Sequence, residues 1–110
     1  MKKLFALLLL AMFSLPVFAA EWKDVPVVDV QCSARAKANP DAHTKDCALK
    51  CAKSGFGIYT SDGKFLKFDA AGNQKMTDAL DKSSKTDHLR VNVTGEQSGD
   101  TIKVESVSLT

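Results

Sequence analysis

The succession of short strand-forming segments is the feature that most constrains the fold of this chain. Residues 88–94 alternate apolar and polar side chains, which is typical of a half-buried strand. The Asp-Gly pair at residues 62–63 favours the positive φ of a tight hairpin turn. The step from Val104 to Val107 breaks the period of two in the last strand and predicts a β-bulge near Glu105. Five strands are therefore predicted, at residues 22–31, 56–60, 64–68, 88–94 and 102–109.

Two helical segments interrupt these strands. The first is predicted near residues 45–54, with Thr44 as its N-cap and Gly55 just beyond its end. The second is predicted over residues 69–84 from the helical spacing of its apolar side chains. The stretch 33–43 contains an Asn-Pro-Asp sequence and is predicted to be a loop.

The order strand, helix, hairpin, helix, hairpin predicts an α+β fold that is mainly β. Five strands with a helix between the third and fourth are typical of an OB-type barrel. We therefore predict a five-stranded antiparallel OB-like barrel, with a short cysteine-bearing helix between strands 1 and 2 and a helix between strands 3 and 4. Residues 95–101 are predicted to turn the chain between strands 4 and 5. The alternative is an open antiparallel sheet with two helices on one face.

The first 19 residues are typical of a secretory signal peptide that is cleaved from the mature protein. Two lysines at residues 2–3 precede an apolar run, and small residues at positions −3 and −1 precede a cleavage site at Ala19/Ala20. The apolar run is shorter than the roughly 20 residues that a membrane-spanning helix needs, although an uncleaved anchor is the alternative. We expect residues 20–110 to form one domain without a membrane span. Its location would be the bacterial periplasm or the exterior, where disulfides persist.

The balance of charges argues against a nucleic-acid partner. The chain has 15 Lys+Arg and 13 Asp+Glu, and removal of two leader lysines leaves equal numbers of each. A protein that binds nucleic acid through its phosphates needs a basic face, which a neutral domain of this size lacks. We therefore expect a monomer whose partner is an envelope component or a small ligand.

Three cysteines restrict the chemistry of the mature chain. Cys47 and Cys51 are four residues apart, so on a helix their Cβ atoms would be about 5–6 Å apart. A disulfide requires about 3.5–4.5 Å between these atoms, so each cysteine pairs with Cys32 or stays reduced. The end of strand 1 lies near the start of strand 2 in an antiparallel pair, which makes Cys51 the nearer partner and Cys47 the alternative. This interpretation predicts one Cys32–Cys51 disulfide and one free thiol.

A metal site is the alternative interpretation of the same cysteines. His43 lies four residues before Cys47, and with Cys32 and Cys51 it completes four ligands suited to Zn²⁺ or Cu⁺. No other cofactor is predicted. His43 and Cys47 are the only nucleophile–base pair to consider, and no orienting group or oxyanion donor accompanies them. We therefore predict no enzymatic activity and no catalytic residue.

The aromatic residues of the central hairpin allow two interpretations. Tyr59 and Phe65 lie near Lys64 and Lys67, on the face that binds bases or sugars in OB barrels. An oligosaccharide- or peptide-binding module is therefore a second alternative function. In the other interpretation both aromatic rings belong to the packed interior.

The cysteine pattern resembles that of a known group of proteins. A D-x-x-C sequence at residues 29–32 precedes H-x-x-x-C-x-x-x-C-x-x-x-G at residues 43–55, and the segments Ser-Asp-Gly-Lys and Val-Asn-Val-Thr-Gly follow. Together they resemble small, uncharacterised exported bacterial proteins with a D-x-x-C … C-x-x-x-C-x-x-x-G pattern and an OB-like β domain. The resemblance spans nearly all of the mature chain. It implies export and a cysteine-bearing cap on a β domain, without an established activity. The predicted function is binding or structural support in the envelope.

Overall fold

The computed structural model describes residues 18–110, so the predicted signal peptide lies outside the described residues except for Phe18 and Ala19. The strands of this part of the chain are β1 (Phe18–Asp29), β2 (Phe56–Tyr59), β3 (Phe65–Phe68), β4 (Arg90–Ser98) and β5 (Thr101–Leu109). The α-helices are α1 (Ser33–Ala36), α2 (Lys45–Lys50) and α3 (Ala70–Lys82). Short 3-10 turns occur at Val30–Cys32, Pro40–Ala42 and Ala52–Ser54.

The five strands close into a barrel in the order β1-β2-β3-β5-β4. The predicted five-stranded barrel is therefore confirmed, and the alternative of an open sheet is wrong. The prediction that all strands are antiparallel is also wrong, because β3 and β5 run parallel through the pairs Lys67↔Thr101 and Phe68↔Ile102. The reason is that α3 carries the chain from β3 to β4 before β5 returns beside β3 in the same direction.

Apolar side chains from the strands and from α3 fill the barrel interior. Met76 and Leu80 of α3 are fully buried, as the helical spacing predicts. Asp69 begins this helix, because its Oδ1 accepts hydrogen bonds from the backbone N–H groups of Gly72 at 2.9 Å and Val104 at 3.2 Å. The cap therefore joins α3 to β5. The barrel residues of this core are Val27, Phe56, Ile58, Leu66, Phe68, Val91, Val93, Ile102 and Val104.

The hairpin formed by β4 and β5 confirms one prediction and corrects another. Thr94 pairs with Ser106 and Gly95 with Val104, which leaves Glu105 as the extra residue of the predicted bulge. The turn predicted at 95–101 is confirmed only at residues 99–100, because β4 continues to Ser98 and β5 begins at Thr101. A Cβ atom on Gly95 would lie 2.3 Å from the Lys103 carbonyl oxygen. This glycine is therefore required by the close approach of two strands, not by a turn.

Residues 30–54, which we call the connecting segment, link β1 to β2 across the barrel surface. The predicted N-cap is confirmed, since Thr44 Oγ1 accepts a hydrogen bond from the Cys47 N–H at 3.2 Å. Gly55 ends the segment with φ +89°, a conformation that favours glycine. The prediction of a loop at 33–43 is wrong in part, because α1 and a 3-10 turn form there.

Polar contacts fasten the connecting segment to the barrel. Arg90 on β4 donates two hydrogen bonds to the Asp41 carboxylate, at 3.0 and 3.1 Å. This guanidinium holds the pKa of the Asp41 carboxyl below its usual value. Lys45 Nζ donates to the Ser83 carbonyl oxygen at 2.7 Å, beyond the end of α3. The segment is therefore held at several points, mostly by charged and polar groups.

Candidate thiol–carboxylate site

Asp29 is a fully buried carboxylate at the point where β1 ends and the connecting segment begins. It acts as the N-cap of the following 3-10 turn, and its Oδ2 accepts a hydrogen bond from the Cys32 N–H at 2.9 Å. The spacing of three residues between Asp29 and Cys32 is therefore that of an N-cap, whose side chain accepts a hydrogen bond from a backbone N–H group of the first turn. The same contact brings the cysteine and the carboxylate together.

The second oxygen of Asp29 contacts His43. The distance from His43 Nε2 to Asp29 Oδ1 is 2.5 Å, and only 8% of the His43 side chain is exposed. Because a carboxylate oxygen can only accept, the Nε2 nitrogen carries the proton of this bond. Removing a carboxylate from water is costly unless it is paired and hydrogen-bonded. His43 supplies this partner from the middle of the connecting segment.

Cys32 and Cys51 meet beside this carboxylate. The Val30 N–H donates to the Gly55 carbonyl oxygen at 2.8 Å, and the Gln31 N–H donates to Ser54 Oγ at 3.1 Å. These bonds extend the pairing of β1 with β2 and draw the two ends of the connecting segment together. One ligand atom from each of Asp29, Cys32 and Cys51 lies within 4.8 Å of the other two.

The predicted Cys32–Cys51 disulfide is not formed in this structure, where both cysteines of the group carry free thiols. Cys32 is buried and Cys51 is half-buried at the C-terminal end of α2. Partial burial raises the pKa of the Cys51 thiol, and the negative charge of Asp29 acts in the same direction. The Cys51 thiol is therefore held in its protonated form beside the carboxylate.

Arg35 places a positive charge on the other side of Cys32. It lies three residues further along, on α1, and its Nη2 donates a hydrogen bond to Cys32 Sγ at 3.3 Å. This contact is the main cause of a raised Arg35 pKa. A shallow cavity of about 180 Å³ opens beside the pair, and His43 forms another part of its wall. The buried Cys32 therefore forms part of the wall of a surface cavity.

Cys47 lies apart from this group. It is exposed in the first turn of α2, while Cys51 follows that helix. The structure thus brings together Cys32 and Cys51 from the predicted residues and places His43 against Asp29. It does not bring Cys47 into the same group. The predicted set of Cys32, His43, Cys47 and Cys51 is therefore not assembled as a whole. Asp29 accompanies Cys32 and Cys51, and His43 contacts Asp29.

The aromatic residues of the hairpin form a separate small cluster. Tyr59 is only 8% exposed and packs with Val28 and Ala36, and its hydroxyl donates to the Ser33 carbonyl oxygen. Phe65 is half-buried, with its ring centroid 5.0 Å from that of Tyr59. The Tyr59 ring therefore packs the connecting segment against the barrel.

Our interpretation of the sequence missed two members of the site. The alternation of the first strand predicts Val28 and Val30 on one face and Asp29 on the other, but Asp29 is buried where that strand ends. The D-x-x-C spacing was a signal of its capping role. Arg35 lies three residues after Cys32, which places both on one face of a short helix. This spacing was not used as a signal, because residues 33–43 were predicted to form a loop.

Comparison of the chain with models of protein families, with curated proteins and with solved structures finds no match. Among residues 18–110, no helix has the length and apolar character needed to cross a membrane. The geometry of the site is therefore the basis for the proposals that follow.

Proposed function

We propose that this chain is a small exported domain that acts in binding or structural support in the bacterial envelope, stapled by one disulfide between Cys32 and Cys51. The observation that carries the proposal is the position of these two cysteines. Their sulfur atoms lie within 4.8 Å of one another, whereas Cys47 is exposed outside the group. The signal-peptide pattern of the first 19 residues supports export, which would expose the thiols to oxidants.

An OB-type barrel is part of this proposal. The strand order β1-β2-β3-β5-β4 and the position of α3 between β3 and β4 support it. In this barrel the connecting segment would form a cap held to the β domain at its two ends and by contacts from Asp41 and Lys45. A cap of this kind is a surface on which an envelope partner or a small ligand would be bound.

The connecting segment benefits from a covalent bond because it buries few apolar side chains. Between residues 30 and 54, the buried apolar residues are Cys32, Ala36 and Ala48, all of them small. Segments with little apolar burial open locally at low free-energy cost. A disulfide closing a loop of about 20 residues stabilises the folded state by about 3 kcal/mol in the chain-entropy model. That is a large share of the stability of a domain this small.

Intact mass and thiol alkylation of the protein exported by a bacterial host test the proposal. We expect a mass two hydrogens below that of the reduced mature chain and a single alkylated cysteine. Peptide mapping should identify that cysteine as Cys47. The variant Cys47→Ser should still form the Cys32–Cys51 disulfide. The variant Cys51→Ser cannot form it, because one of the two cysteines is absent. Three alkylated cysteines in the wild-type protein would contradict the proposal.

A further inference from the structure

The group formed by Asp29, Cys32 and Cys51 has the composition of a metal site. Two thiols and one carboxylate contribute one ligand atom each, and these atoms lie within 4.8 Å of one another. Around a tetrahedral Zn²⁺, with Zn–S near 2.3 Å and Zn–O near 2.1 Å, ligand atoms are separated by about 3.3–3.8 Å. The group therefore needs to contract by only about 1 Å to surround an ion.

We propose that Asp29, Cys32 and Cys51 bind a thiophilic divalent cation, Zn²⁺, when both cysteines are reduced. The inference uses the cysteine pair of the proposed function and requires its disulfide to be open. A dithiol reduces the disulfide by giving up its two electrons and two protons, and it becomes a cyclic disulfide. A phosphine does so with one water molecule, which supplies the two thiol protons and the oxygen of the phosphine oxide. Binding of Zn²⁺ then releases the two thiol protons to solvent, because the thiolate is the ligand.

One neighbouring cation, Arg35, partly offsets the charge of such a site, and His43 makes a hydrogen bond with its carboxylate. Two thiolates and one carboxylate carry three negative charges, which exceed the charge of one divalent ion. Arg35 donates to Cys32 Sγ at 3.3 Å, and His43 donates to Asp29 at 2.5 Å. Contacts of this kind orient metal ligands and tune their basicity, and their loss typically lowers metal affinity about 10–100-fold. His43 is then a positioning residue in place of the predicted direct ligand.

The ligand chemistry selects the class of metal. Two thiolates disfavour the hard cations Ca²⁺ and Mg²⁺, which prefer all-oxygen sites. A carboxylate beside the thiolates suits Zn²⁺ better than Cu⁺, because Cu⁺ prefers ligands that are all soft. Three protein ligands leave the fourth tetrahedral position for water or a small ligand. Of the three ligands, Cys32 also lines a surface cavity, together with Arg35 and His43.

The test begins with the full exported protein, reduced with a phosphine under anaerobic conditions and titrated with Zn²⁺ against a chromophoric chelator. We expect one equivalent to bind. Cys47→Ser, the matched control, should change the affinity less than 2-fold, and Cys51→Ser should weaken it more than 100-fold. Co²⁺ should give thiolate-to-metal charge-transfer absorption in the wild type but not in Cys51→Ser. Equal binding by wild type and Cys51→Ser would overturn the proposal, as would tighter binding of Mg²⁺ than of Zn²⁺.

Alkylation of the wild-type protein provides a second measurement that does not depend on the folding of variants. Bound Zn²⁺ should protect Cys32 and Cys51 from alkylation at least 10-fold and leave Cys47 reactive. Protection of all three cysteines, or of none, would contradict the assignment of ligands. The mass of the protein before reduction tests the disulfide separately. If the protein contains the disulfide but binds no zinc after reduction, only the metal site is refuted. If it contains three free thiols before reduction and binds zinc, only the disulfide is refuted.

Discussion

The substitution Asp29→Ala tests whether the buried carboxylate holds the connecting segment to the barrel. Alanine removes the N-cap acceptor of the Cys32 N–H, which contributes about 1 kcal/mol. It also removes the 2.5 Å bond to His43, and hydrogen bonds to charged groups contribute about 1.5–3 kcal/mol each. The free energy of unfolding should therefore fall by about 2.5–4 kcal/mol. For a domain of this size, 3 kcal/mol corresponds to a decrease in Tm of about 12–24 °C.

Urea unfolding followed by circular dichroism measures this change, with all variants in the same oxidation state. Asp29→Asn keeps the capping oxygen and loses the charge, so it should cost about 1 kcal/mol less than the alanine variant. Asp81→Ala, on the exposed face of α3, is the matched control and should stay within about 0.5 kcal/mol of the wild type. A double-mutant cycle of Asp29→Asn with His43→Ala should give a coupling of about 1.5–3 kcal/mol.

A cost below about 1 kcal/mol for Asp29→Ala, or a coupling near zero in the cycle, would contradict this prediction. The first result would mean that the carboxylate is solvated or unpaired in solution. The second would mean that His43 and Asp29 stabilise the fold independently of one another.

Three further predictions concern other contacts. Arg90 lowers the pKa of Asp41 in the folded protein. The Asp41 carboxylate therefore stabilises the fold by about 1 kcal/mol above its unfolded pKa of about 3.9. This contribution is lost as the pH falls through the folded pKa. Asp41→Asn should flatten the acid-unfolding curve there, and an unchanged slope would argue against the pair. Gly57→Ala places a Cβ 2.5 Å from a backbone oxygen of β3 and should cost about 1–3 kcal/mol in urea unfolding. The control Gly99→Asn has open space around it and a φ of +61°, which asparagine tolerates, so its effect should be small. Tyr59→Ala should cost about 3 kcal/mol, since its ring is buried, whereas unchanged stability would indicate a ring free to bind ligand.

Local patterns were sufficient to predict most elements of the fold. Thr44 begins a helix because its hydroxyl caps the first turn, and this depends only on its neighbours in sequence. The Glu105 bulge was visible as a break in alternation. The extent of β4 was not predictable in this way. From sequence alone, Gly95 is typical of a turn. Its role depends on the backbone of β5, which lies too close to leave room for a side chain.

The candidate site was likewise predicted in part. The sequence alone indicated that Cys51 lies nearer to Cys32 than Cys47 does, because antiparallel pairing of neighbouring strands brings their adjoining ends together. It did not indicate that Asp29 is buried, since a strand pattern of period two assigns that residue to the outer face.

Most of the elements follow from short-range periodicity and capping, which are properties of the sequence alone. The nearness of Cys51 to Cys32 follows from the pairing of neighbouring strands. Only the tertiary structure decided the parallel contact of β3 with β5, which depends on how α3 crosses the barrel. It also decided that Asp29 and not Cys47 accompanies Cys32 and Cys51. The physical reason is that burial and charge pairing are set by residues distant in sequence, which a local pattern does not contain.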